Sequence, residues 1–102
     1  MGDKVKAALG EVVKRKHELS QIQAAKRLLE QRIRDIEQDQ ARIRQNMAQL
    51  DRASDVYKNY VKKFSEQEGE IDKLRGQIAA ASDKEAGARK SLDEFLMGLD
   101  LQ

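Results

Sequence analysis

The residues that could do chemistry are few, and their surroundings give them little to work with. His17 is the single histidine and lies between Lys16 and Glu18 on what reads as an outward helix face. A metal site needs several converging His, Cys or carboxylate ligands, and the chain has no cysteine and no second histidine to join it. Glu66, Glu68 and Glu70 cluster in sequence, but on a charged, solvated face. No nucleophile stands beside a base, and neither a glycine-rich phosphate loop nor a dinucleotide fingerprint occurs. We therefore expect no catalytic residue, no cofactor, no metal ligand and no enzymatic activity.

One stretch invites a binding role. "YKNYVKKF", residues 57–64, interleaves Tyr57, Tyr60 and Phe64 with Lys58, Lys62 and Lys63, a pattern on which nucleic-acid bases can stack while lysines meet phosphates. The same spacing also suits a helix that buries its three rings and points each tyrosine hydroxyl to water, and we prefer that assignment. A second basic cluster, "KRKH" at 14–17, falls too far away to extend one footprint.

The composition shows what kind of scaffold carries these residues. The 102 residues are 37% charged and 39% apolar, with only 4% aromatics and a mean hydropathy of -0.80. A globule of this length needs more large apolar residues, whereas long helices buried along one stripe do not. No apolar run approaches the roughly 20 residues that span a bilayer, and the start lacks the apolar core of a secretory signal. Without cysteine the compartment stays open; a cytoplasmic location would follow only if the chain is the whole protein. Met1-Gly2 running straight into helix reads as a start added to an excised segment, so a fragment of a larger protein is expected. Residues 1–50 hold 11 Lys/Arg against 7 Asp/Glu, and residues 51–102 hold 9 against 11. Opposite net charges are expected of two halves lying side by side.

The stripe itself is explicit. In the first half, apolar residues recur in steps of three and four through an a series (Val5, Val12, Leu19, Lys26, Ile33, Gln40, Met47) and a d series (Ala8, Arg15, Ile22, Leu29, Ile36, Ile43, Leu50). In the second half the a series is Tyr57, Phe64, Ile71, Ile78, Glu85, Leu92 and Leu99, and the d series Tyr60, Gln67, Leu74, Ala81, Ala88 and Phe95. Such sustained heptads mark a coiled coil. The first register, carried past Leu50, runs onto Ser54, Val61, Glu68 and Arg75, so the phase resets between residues 50 and 57. A stutter in one continuous helix would do this, giving a parallel dimeric rod of about 150 Å. The local chemistry favours a turn instead: Asp51 and Ser54 are turn formers, and Ser54 followed by Asp55 makes an N-cap with an acid in the first turn. "AAASDKEAG" carries a rival capping box at Ser82 and Glu85, but the heptad phase survives it.

We therefore expect an all-α antiparallel coiled-coil hairpin: helix 1 over 3–50, a turn at Asp51, Arg52, Ala53 and Ser54, and helix 2 over 55–100, each arm roughly 70 Å long. Setting Leu50 opposite Tyr57 pairs every a with a d. Gln40 then meets Gln67 in a core polar layer, where each buried amide needs a partner, and Lys26 falls one layer from Glu85. Among flanking charges Glu37 with Arg75 and Arg44 with Glu68 are favourable, and Lys16 near Arg89 is not. At the open end Leu9, Val13, Phe95, Leu96, Met97 and Leu101 add apolar surface that two helices cannot bury. That end is expected to dock on a partner: another domain of the parent protein, or a second hairpin in a homodimeric four-helix bundle.

"IEQDQARIRQNMAQLDRASDVYKNYVKKFSEQEGEIDKLRGQI" resembles a helical segment near the C-terminus of large uncharacterised bacterial proteins related to the mucoidy-inhibitor group. There an EQxRIRxNM-like stretch precedes a turn and a YxxYVxKxxxQExxIxxL-like stretch. The matching residues are Glu37, Gln38, Arg42, Ile43, Arg44, Asn46 and Met47, then Tyr57, Tyr60, Val61, Lys63, Gln67, Glu68, Ile71 and Leu74. The resemblance covers about half the chain and implies a helical hairpin, with no catalytic residue and no substrate. Turns in the related segments often carry Pro or Gly; "LDRAS" has neither. The functional expectation is a non-catalytic spacer or oligomerisation element; a nucleic-acid-binding arm is the alternative from another class.

Overall fold

A computed structural model describes residues 2–99. The fold is all-α: α1 (Asp3–Met47) and α2 (Asp55–Gly98) form an antiparallel hairpin. The continuous rod is not what forms. Both helices begin with an acid, Asp3 and Asp55, which complements the exposed N–H groups of a first turn. α2 passes through Ser82 and Glu85 without a break.

The turn differs from expectation at one side. α1 ends at Met47, three residues before the expected position 50, so the reversal occupies residues 48–54. The chain leaves α1 early through a tightened last turn, and the reversal is held by its own local hydrogen bonds. Gln49 N–H donates to the Asn46 carbonyl at 3.1 Å and Leu50 N–H to that of Met47 at 3.2 Å. Asp51 Oδ1 then accepts from Ala53 N–H at 2.8 Å. Ser54 caps α2 as its type predicts, Oγ accepting from Tyr57 N–H at 3.2 Å while donating to the Asp51 carbonyl at 2.7 Å. No left-handed residue is required among the described residues, so the turn closes without Gly or Pro. At the other terminus α2 ends at Gly98, short of the expected position 100.

Every described a and d position is buried or half-buried, as a two-stranded seam requires. The hairpin divides into two compact units, a turn-proximal one, Leu28–Ile78, and an open-ended one, Met1–Arg27 with Ala79–Gln102. In the turn-proximal unit Ile36, Ile71 and Leu74 form a buried cluster with Leu29 and Ile33 against it, and Ile43 is wholly enclosed. In the open-ended unit Leu19 and Leu92 are the buried large residues among those described.

Candidate interaction surfaces

Polar groups at the seam explain what the helices can hold between them. Gln40 is 3% exposed, yet the two glutamines do not bond to each other as expected. Each donates instead to the acid beside its counterpart: Gln40 Nε2 to Glu68 Oε1 at 2.8 Å, and Gln67 Nε2 to Asp39 Oδ2 at 2.6 Å. A carboxylate is the stronger acceptor, and the register that sets Gln40 opposite Gln67 also sets Asp39 and Glu68 diagonally within reach. The crossed arrangement leaves Gln67 Oε1 buried without a partner among the described residues, a cost of about 1–3 kcal/mol.

Asp39 is the hub of this layer. It accepts from Arg42 Nε at 3.0 Å and lies 3.4 Å from Lys63 Nζ. Hydrogen bonds from Arg42 and then Gln67 hold its carboxyl below the usual aspartate range, and the same contact holds Arg42 above its own. One heptad away Arg32 reaches Glu70 through both Nε and Nη2, at 3.1 and 2.9 Å. In heptad terms Arg32, Asp39, Lys63 and Glu70 are all g positions, so one flank of the turn-proximal unit is stitched across its helices.

The opposite, e, flank of that unit is different. Glu37, Arg44, Val61 and Glu68 stand there, and none joins an ion pair among the described residues; the expected pairs Glu37–Arg75 and Arg44–Glu68 do not form. Arg44 lies over the Phe64 ring at 5.6 Å to the centroid, and Glu68 is engaged by Gln40. Arg44, Met47, Val61 and Phe64 line a shallow notch, and Val61 is 45% exposed. The tyrosines close the core beside the turn, half-buried, and the Tyr60 hydroxyl accepts from Asn46 Nδ2 at 3.1 Å.

The open-ended unit is held by charged seam residues. Lys26 Nζ meets Glu85 Oε1 at 3.3 Å, and that hydrogen bond leads the forces holding the Glu85 carboxyl below its ordinary range, with Gln23 and Arg89 adding to it. Arg15 donates to the Ser91 carbonyl and hydroxyl at 3.1 and 2.6 Å and to Glu11 at 2.7 Å, and its guanidinium covers the Phe95 ring at 4.7 Å. Phe95 is therefore half-buried beneath Arg15 and drops out of the expected docking surface. Leu9, Val13, Leu96 and Met97 remain, exposed to 43, 67, 42 and 86%; Leu101 lies outside the described residues. Leu9 and Leu96 are both e positions, followed one heptad inward by the exposed e residues Lys16 and Arg89, which form no ion pair among the described residues. Nothing in periodicity alone separates the two flanks; the sign of the e and g residues does.

His17 is exposed. No group of three or more metal-ligating side chains occurs among the described residues, and no described helix is long and apolar enough to cross a membrane. No family model matches the chain, and no curated protein or solved structure matches it.

Proposed function

We propose that the chain is a non-catalytic interaction hairpin, a spacer or oligomerisation element that associates with a second copy of itself. The observation that carries this is the open-ended unit's surface, where Leu9, Val13, Leu96 and Met97 stand in solvent beside a seam whose buried large residues are few. Apolar side chains clustered outside a closed seam mark a surface for another chain. A two-helix stripe, whose burial barely offsets chain entropy, gains most from being covered. The resemblance of residues 36–78 to a helical segment of large bacterial proteins suits an assembly or spacer role within a longer polypeptide.

Sedimentation equilibrium tests the proposal. The protein should be dimeric or larger in the micromolar range, and Leu96→Asp with Met97→Asp should return it to a monomer of unchanged helicity. A monomer at every concentration would remove the proposal.

A nucleic-acid arm is the second reading, favoured by the turn, where residues 41–65 hold six Lys/Arg against two acids. Its stacking platform is already engaged, with Phe64 under Arg44 and Tyr60 tied to Asn46. Salt-dependent binding of RNA or DNA would revive it, since phosphate contacts weaken steeply with salt.

A further inference from the structure

Resting on the self-association proposed above, we propose where the second copy sits: the e flank of the open-ended unit of one hairpin packs on the e flank of the turn-proximal unit of another.

The two flanks are complementary row by row. On the open-ended unit an outer apolar row, Leu9 and Leu96, is followed one heptad inward by a basic row, Lys16 and Arg89. On the turn-proximal unit Val61 and Arg44 form an outer row beside the notch, with Met47 and Phe64 at its base, followed one heptad inward by an acidic row, Glu37 and Glu68. One heptad is about 10 Å along a helix, so both surfaces carry their two rows at the same separation. Leucine meets the Val61 notch as Lys16 and Arg89 meet Glu37 and Glu68.

The charges that join no ion pair among the described residues specify the occupant. Within one hairpin Lys16 and Arg89 are like charges on neighbouring helices, and so are Glu37 and Glu68. Like charges facing each other at e positions destabilise a pairing and opposite ones select it. A second copy supplies each row with the opposite sign. The g flank of the turn-proximal unit offers no such site, because Arg32–Glu70 and Asp39–Lys63 already satisfy one another. An open end packed on another open end would set basic row against basic row. The contact joins the open-ended unit of one copy to the turn-proximal unit of another.

Charge reversal tests it. Lys16→Glu with Arg89→Glu, and separately Glu37→Lys with Glu68→Lys, should each weaken self-association at least about tenfold by sedimentation. All four changes in one chain should restore it, since the rows are again opposite; that rescue separates docking from damage to the Gln40–Glu68 bond, as does unchanged helicity by circular dichroism. As a second measure, Val61→Cys and Leu96→Cys proteins, mixed under oxidising conditions, should form the mixed disulfide ahead of either homodimeric one, the native chain having no cysteine. If the native protein associates but neither paired reversal weakens it, or the fourfold variant stays dissociated, this docking is wrong while self-association stands. A native protein that never associates defeats both.

Discussion

The two units follow the same heptad rule but with different side chains. The turn-proximal unit buries Ile36, Ile43, Ile71 and Leu74, and its amide layer is completed by acids from the facing helix. The open-ended unit places Arg15, Lys26 and Glu85 in the seam, fills three more seam positions with alanine, and leaves its exposed leucines outside. Cohesion in the first comes mainly from removing aliphatic surface from water, which scales with area. In the second, Leu19 and Leu92 supply less of that burial, and the hydrogen bonds and ion pairs beside them are partly solvated and add less. One unit buries its large apolar residues in its own seam, whereas the other leaves Leu9, Val13, Leu96 and Met97 exposed, the surface on which the proposed self-association rests.

The largest effect should come from truncating the core of each unit. Ile43 has no exposed surface, and Ile43→Ala should cost about 3 kcal/mol, within the range for buried large-to-small changes. Leu92→Ala removes a side chain of similar size from a thinner layer that can collapse around the gap, and should cost about 2 kcal/mol. Urea denaturation gives the totals, and native-state hydrogen exchange gives the location. Amides of residues 28–78 should be the most protected in the native protein and should lose most in Ile43→Ala. Equal costs and uniform protection would erase the distinction between the units.

A middling effect probes the electrostatic seam. Arg15 joins the helices of the open-ended unit through two bonds to Ser91 and a stack on Phe95. Arg15→Ala should cost about 1–2 kcal/mol from lost hydrogen bonds and ring contact and should also expose Phe95, raising the binding of a hydrophobic dye. Arg15→Lys should recover only part of this, because an ammonium cannot cover a ring and donate in fork geometry at once. Full recovery by lysine would show that charge alone mattered.

How much of this was legible beforehand depends on the scale of the interaction. The seam was written in the three-four spacing, since only a helix brings Ile36 and Ile43 to one face. Ser54 announced the start of α2 because a capping hydroxyl acts within one turn. The end of α1 is not announced: Ala48, Gln49 and Leu50 are good helix formers and Leu50 continues the heptad, yet these residues turn tightly ahead of the Asp51–Ser54 cap. The position of the amide layer could be read from Gln40 and Gln67, but its wiring could not, since the acceptors are flanking neighbours whose pull exceeds that of another amide. The cover over Phe95 is equally invisible to the heptad pattern. A ring at a d position near a chain end looks available until Arg15, one core layer away on the facing helix, is seen to cover it.

The smallest effect separates the units by proton binding. Asp39, held low by Arg42 and Gln67, lies in the turn-proximal unit, and Glu85, held low chiefly by Lys26, in the open-ended one. Each is depressed in the folded protein, so its contribution is complete above the unfolded-state pKa of about 4 and is lost as pH falls through the lower folded value. Asp39→Asn keeps an oxygen able to accept from Gln67 but removes the charge that holds Arg42 and Lys63. The melting temperatures of native protein and Asp39→Asn should therefore differ by a few degrees near pH 6–7 and converge as the pH is lowered through the depressed Asp39 value. Glu85→Gln should behave alike, with its loss of exchange protection confined to the open-ended unit, whereas that of Asp39→Asn should fall within residues 28–78. A difference that persists unchanged into acid would mean that Asp39 acts through shape and not charge. Loss of protection spread over both units by either variant would mean that the two halves unfold as one.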